Sequence, residues 1–115
     1  MDDKKTGIKQ NLTNYGDLGF STFLRKSFIK GLGYSDEMLD KPIVGIINTF
    51  SDYNSCHGNV PDLIQSVRAG ILTKGAIPLE FPTISVHEAF SYPTSMYLRN
   101  LMAMDTEEMI RAQPM

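Results

Sequence analysis

The 115-residue sequence predicts an α/β fold, a parallel sheet flanked by helices, on three observations. Ile43-Val44-Gly45-Ile46-Ile47 is a continuous apolar run with β-branched residues, the pattern of a strand buried on both faces. Val60, Leu63, Ile64, Val67 and Ile71 follow at helical spacing. Residues 76–81 form a second, shorter apolar segment, so the order strand, helix, strand favours parallel pairing through a crossover.

Taken in order, residues 1–16 are polar and carry Gly7, Asn11, Asn14 and Gly16 without a clean period, which predicts an extended arm with little core of its own. Over 17–32, Leu18, Phe20, Phe23, Leu24, Phe28 and Leu32 recur at helical intervals, with Gly31 and Gly33 as stops. Ser35 ahead of Asp36 and Glu37 predicts a short helical turn over 35–39, because acidic groups favour a helix N-terminus. After the first strand, Pro61 suits the first turn of the next helix and Gly75 its C-terminal stop. Pro78 and Glu80 interrupt the second strand. Residues 94–112 read as a last helix, and Met96, Tyr97, Leu98, Leu101, Met102, Ala103 and Met104 surround so much of it that burial on several sides is expected.

Composition narrows the function classes. Eleven Lys+Arg against 13 Asp+Glu give a net charge of -2 with no basic block, which argues against nucleic acid as a partner. No apolar run approaches the roughly 20 residues of a membrane span. The single cysteine cannot form an internal disulfide, and the start Met1-Asp2-Asp3-Lys4-Lys5 lacks the apolar stretch of a secretory signal, so a reducing, cytoplasmic setting is expected.

In parallel sheets ligands gather beyond the carboxyl ends of the strands, where the polar loops 48–59 and 82–94 would open together. Cys56 and His57 could offer a thiolate and an imidazole to a soft metal, though a lone cysteine is more often a small buried apolar residue. Glu88 could bind a hard cation such as magnesium, or be a solvated loop acid. His87 beside it could be an acid or base, or a hydrogen-bonded structural group. Arg99 and Asn100 interrupt an apolar helix, so a partner such as Asp105, Glu88 or a substrate carboxylate is implied for the charge. Asp105, Glu107 and Glu108 read as a solvated face, with Arg111 complementing the helix dipole. Gly31-Leu32-Gly33 lacks the third glycine and preceding strand of a dinucleotide fingerprint, and no Gly-Lys-Ser/Thr occurs.

Four blocks carry a resemblance: residues 41–49, Lys-Pro-Ile-Val-Gly-Ile-Ile-Asn-Thr; the Asn-x-Cys-His at 54–57; Glu-Phe-Pro-Thr-Ile-Ser at 80–85; and Arg-Asn-Leu-Met-Ala-Met-Asp at 99–105. In this order they resemble the amino-terminal part of the dihydroxy-acid and sugar-acid dehydratase family, over about residues 17 to 114. The last two blocks look more like the sugar-acid branch, typified by arabinonate dehydratase. The resemblance implies a hydro-lyase that converts a 2,3-dihydroxy carboxylic acid to a 2-keto acid, and a two-domain enzyme of which residues 17–115 are part of the amino-terminal α/β domain.

It further implies that Cys56 is a ligand of an iron–sulfur cluster, two-iron in preference to four-iron, and that Glu88 binds Mg2+ beside it; from its position next to Cys56, His57 is expected to support them from behind. The small-molecule hydroxy-acid substrate and assembly as a homodimer or homotetramer come from the same source. The family's other cluster cysteines, its Cys-Asp-Lys motif and its serine base have no counterpart among these 115 residues, and Ser55 stands where the family commonly has proline. The chain alone is therefore expected to be a catalytically silent fragment. Two other readings stay open: a non-catalytic α/β module that binds a protein through its Met-rich helix, and a small metal protein that completes a cluster between chains.

Overall fold

Strands β1 (Ile43–Asn48) and β2 (Ile77–Pro82) pair in parallel, with Ile43 opposite Ile77 and Asn48 opposite Pro82. The computed structural model describes residues 6–11 and 16–115. Helices α1 (Leu18–Lys30) and α2 (Asp36–Leu39) precede β1, α3 (Val60–Thr73) connects the strands, and α4 (Met96–Ala112) follows β2. The predicted alternation of strand and helix is thus present. Pro78 sits within β2 because each strand of a two-stranded sheet keeps a free edge on which a missing N–H is harmless.

The termini of the elements follow their local chemistry. Asp17 caps α1 by accepting the Phe20 N–H at 3.1 Å, and Ser35 caps α2 by accepting the Met38 N–H at 3.3 Å. Pro61 lies in the first turn of α3, and Gly75, at φ +79°, provides the left-handed residue beyond its end.

The core gathers Ile8, Leu39, Ile43 and Ile77, of which Leu39 and Ile77 are fully enclosed. Ile8 belongs to the amino-terminal segment, where Gly7–Lys9 forms a 3-10 turn. Arg25 of α1 holds this segment by donating to the carbonyls of Ile8, Gln10 and Asn11. Gly7 is at φ +64°, and a Cβ there would stand 2.6 Å from the carbonyl oxygens of Leu39 and Lys41, so only glycine lets the segment lie this close. Residues 1–5 and 12–15 of the predicted arm lie outside the described residues.

Two expectations about burial require correction. β1 is covered only in part on each face: Ile43 and Ile46, which point to opposite faces, are buried, whereas Ile47, on the face of Ile43, and Val44, on the face of Ile46, are exposed, because the two-stranded sheet carries no complete layer over either face among the described residues. α4 has no buried residue. It docks through the half-buried stripe Met102, Asp105, Thr106 and Met109, spaced i, i+3, i+4, i+7, and leaves Met96, Tyr97, Leu101 and Met104 open. No helix among the described residues is long and apolar enough to cross a membrane.

Candidate functional site

Parallel pairing sends the chain out of both strands at the same edge. The Thr83 N–H continues the ladder by donating to the Asn48 carbonyl at 3.1 Å, and the segments that follow are stitched together side by side. The Ser85 hydroxyl donates to the Thr49 carbonyl at 2.6 Å and receives the Ser51 hydroxyl at 3.0 Å. The buried Asn54 amide donates to the Val86 carbonyl at 3.1 Å. Asp105 of α4 accepts the Thr83 hydroxyl at 3.1 Å and the Ile84 N–H at 3.3 Å, which fixes the second loop to the last helix. Asp105 is therefore not part of a solvated face, although Glu107 is, paired with Arg111 at 2.5 Å in solvent.

Cys56 is exposed, in the 3-10 turn Ser55–His57 and short of the α3 N-terminus, which corrects the buried apolar alternative. Its Sγ lies 3.4 Å from His87 Nε2. His87 Nδ1 accepts the Ala89 N–H at 3.1 Å, so the neutral ring carries its proton on Nε2 and directs it at the sulfur. Sequence reasoning singled out both residues without pairing them. His57, one residue on, places Nδ1 2.9 Å from the Thr49 hydroxyl and 3.2 Å from the Asn54 amide nitrogen.

Glu88 is tied to the start of α4. One carboxylate oxygen accepts the Thr94 hydroxyl at 2.8 Å; the other accepts the Ser95 N–H at 2.9 Å and the Ser95 hydroxyl. The Ser95 hydroxyl, then the Thr94 hydroxyl and the Ser95 N–H, hold the Glu88 carboxyl below its ordinary value of 4.5, and the Arg99 charge adds to this. A depressed carboxyl stabilises the fold above its unfolded value and loses that contribution as pH falls through the folded one. Acidification below about pH 4.5 is thus expected to fray the first turn of α4. Protection of the amides at residues 95–98 from exchange, taken by NMR relative to the intrinsic rate at each pH, should fall on acidification in the native protein and lose this pH dependence in Glu88→Gln; the same protection profile in both proteins would contradict it.

Arg99, for which burial and a partner were expected, is exposed and forms no ion pair within 4 Å among the described residues. It stands on the same face of α4 as Ser95 and Met102 but is exposed, so its charge needs no buried partner. With Glu88, His57, Asn54, Ser85, Ser95, Thr49, Ile84, Val86 and Met102 it lines a pocket of about 270 Å³ between the two loops and α4. Glu88 and His57 thus share one cavity, while Cys56 faces His87 outside that lining.

Asn54 and Ser85 stand in the blocks that carry the resemblance but were given no role there, and Thr94 and Ser95 were not singled out in the sequence. Thr94 and Ser95 ahead of an apolar helix carry a capping signal that could have found the last two. Among the described residues no three His, Cys, Asp or Glu side chains converge as a metal site. An iron–sulfur cluster takes about three or four protein ligands and magnesium about six oxygens, so neither group finds a complete site in these residues. Cys56 has the right donor chemistry for a single corner of a cluster. Glu88 retains acceptor capacity beyond its three hydrogen bonds for a single bond to a cation.

A family model described as dihydroxy-acid/6-phosphogluconate dehydratase N-terminal matches residues 41–115. The chain is 39% identical over 102 residues to L-arabinonate dehydratase of Rhizobium leguminosarum bv. trifolii, covering 88% of this chain and 18% of that protein. Putative dehydratase IlvD1 of Rhizobium meliloti is 39% identical over 113 residues, 97% of this chain and 20% of the relative. Dihydroxy-acid dehydratase of Carboxydothermus hydrogenoformans is 33% identical over 101 residues, 82% and 18% of the two chains. The chain spans about a fifth of the length of these curated relatives.

Proposed function

Because this chain belongs to the dihydroxy-acid/6-phosphogluconate dehydratase family, whose amino-terminal model covers residues 41–115, we propose that it forms one wall of a dehydratase active site. The reaction on this reading is removal of water from a 2,3-dihydroxy carboxylic acid, a sugar acid or a branched-chain precursor, to leave a 2-keto acid. Relatives named for L-arabinonate and for 6-deoxy-6-sulfo-D-gluconate support the sugar-acid side. The observation that carries the reading is the meeting of the two loops on one sheet edge, with Cys56 against His87 and Glu88 next in sequence within the adjoining pocket.

Cys56 would hold one corner of an iron–sulfur cluster, two-iron on this reading, and Glu88 one position on Mg2+; the remaining ligands of both would come from outside this chain. When bound, the two metals supply Lewis acidity for the leaving hydroxyl and positive charge for the substrate carboxylate. The residues in hand do the positioning. Ser51, Ser85 and Asn54 hold the loops in register, and Thr94 and Ser95 orient the Glu88 carboxylate. Assembly as a homodimer or homotetramer in the cytoplasm belongs to the same reading.

The test is a joined polypeptide in which residues 41–115 replace the matching part of the R. leguminosarum L-arabinonate dehydratase. Dehydration of L-arabinonate by this polypeptide is the expected result. A folded, iron-loaded product that dehydrates no sugar acid or branched-chain dihydroxy acid would overturn the reading. The open Met96, Tyr97, Leu101 and Met104 favour a second reading, a non-catalytic protein-binding module, which that negative result would bring forward.

A further inference from the structure

Most polar side chains around the pocket have already spent their hydrogen bonds on one another. Ser85 is held by Ser51 and Thr49, and Glu88 takes its donors from Thr94 and Ser95. The Asn54 amide divides its two N–H groups between the Val86 carbonyl and His57 Nδ1. This division fixes the tautomer of His57. Turning the amide would set its oxygen against the Val86 carbonyl, so the NH2 group stays where it is and Nδ1 acts as an acceptor. The Thr49 carbonyl, 3.2 Å from Nδ1, would favour the opposite tautomer, but that tautomer would leave the second Asn54 N–H without an acceptor, whereas with Nδ1 as acceptor both that N–H and the Thr49 hydroxyl at 2.9 Å can donate to it. Neutral His57 therefore carries its proton on Nε2, and that N–H has no partner among the described residues.

Arg99 is the other group with open valences. Its guanidinium makes no hydrogen bond or ion pair with the described residues, and it borders the same cavity. These two groups are the open donors of the pocket, one of them a permanently charged fork shaped for two oxygens, while the acceptor capacity left on Glu88 suits a cation. Ile84 and Met102 add apolar lining, and about 270 Å³ is room for a small molecule. The Glu88 carboxylate in the same lining repels a doubly charged oxyanion more than a singly charged one, which favours a carboxylate over a phosphate.

We propose that Arg99 and His57 form a subsite for the carboxylate end of a small hydroxy acid, Arg99 gripping the carboxylate and the His57 Nε2–H donating to an oxygen of the same ligand. The subsite follows from the pocket; the choice of a hydroxy acid rests on the dehydratase reading.

Isotope-labelled 115-residue chain is titrated with D-gluconate, with D-glucitol, which lacks the carboxylate, and with inorganic phosphate, while the Arg99 and His57 side-chain N–H signals are followed by NMR. Gluconate is expected to saturate both signals with a dissociation constant on the order of millimolar, ahead of phosphate and glucitol. Arg99→Gln should weaken it at least about tenfold, and Arg99→Lys and His57→Phe by less. Because Arg99 is exposed and unpaired, Arg99→Gln should keep the native circular dichroism, and the Lys variant supplies the same comparison if it does not. Equal affinity for Arg99→Gln and the native chain, or phosphate or glucitol binding as tightly as gluconate, would overturn the subsite. Gluconate bound as described, with the joined polypeptide inactive, removes the dehydratase reading and leaves the subsite. A joined polypeptide indifferent to Arg99→Gln in turnover and KM does the reverse.

Discussion

Purified 115-residue chain supplied anaerobically with iron, sulfide and Mg2+ is expected to release no 2-keto acid from L-arabinonate or from a branched-chain dihydroxy acid. The described residues offer one thiolate, at Cys56, and no group of three metal-ligating side chains, whereas a cluster needs about three or four protein ligands. A cluster held at one corner would exchange with solvent and leave the hydroxyl without its Lewis acid. Nor does the pocket hold a group placed to take a proton from a substrate carbon: Glu88 is committed to Thr94 and Ser95, and His57 presents a donor. Colorimetric detection of the keto acid over hours would suffice. Turnover dependent on added iron would mean that the chain completes its centre alone, as the reading of a cluster shared between chains requires.

Leu39→Ala is expected to remove a large part of the folding free energy. Leu39 has no exposed surface and packs with Ile8, Ile43 and Ile77, while Ile46, Ile64 and Phe81 complete the buried hydrophobic set among the described residues. Deleting such a side chain costs about 2–5 kcal/mol, against about 5–15 kcal/mol of total stability for ordinary domains, and a core this small belongs at the low end of that range. Leu39 also joins two parts of the chain, because its carbonyl lies under Gly7. Release of residues 6–11 should accompany the loss. Urea unfolding followed by circular dichroism measures it, with Phe28→Ala as a control, since Phe28 is 81% exposed. A shift below about 1 kcal/mol for Leu39→Ala would contradict the assigned core.

The elements were legible where the signal is local. Pro61, Gly75 and the spacing from Val60 to Ile71 marked α3, and Ser35 marked α2. Parallel pairing also followed, because a helix between two apolar segments leaves few alternatives. Burial was read less well, for a common reason. Val44, Ile47 and the methionines of α4 are apolar enough for an interior, but whether an apolar face is covered depends on neighbours that periodicity does not specify. At the site, residue type marked Cys56, His57, His87 and Glu88, the family resemblance gave expectations for Cys56 and Glu88, and position next to Cys56 gave one for His57. The bonds among them were not legible. Cys56 and His87 are 31 residues apart and Asn54 and Val86 are 32 apart, so their contacts depend on the strand register, and no sequence motif encodes that Asn54 sets the tautomer of His57.

The central claim is that the loops after β1 and β2 contribute ligands to a dehydratase centre. Iron content and visible absorption of the joined polypeptide, compared with its Cys56→Ser variant, test that claim most directly. The account expects a sulfide-to-iron charge-transfer spectrum in the parent and its loss, with the iron, in a variant that keeps native circular dichroism. A Cys56→Ser polypeptide that holds its iron and dehydrates L-arabinonate at the parent rate would contradict it.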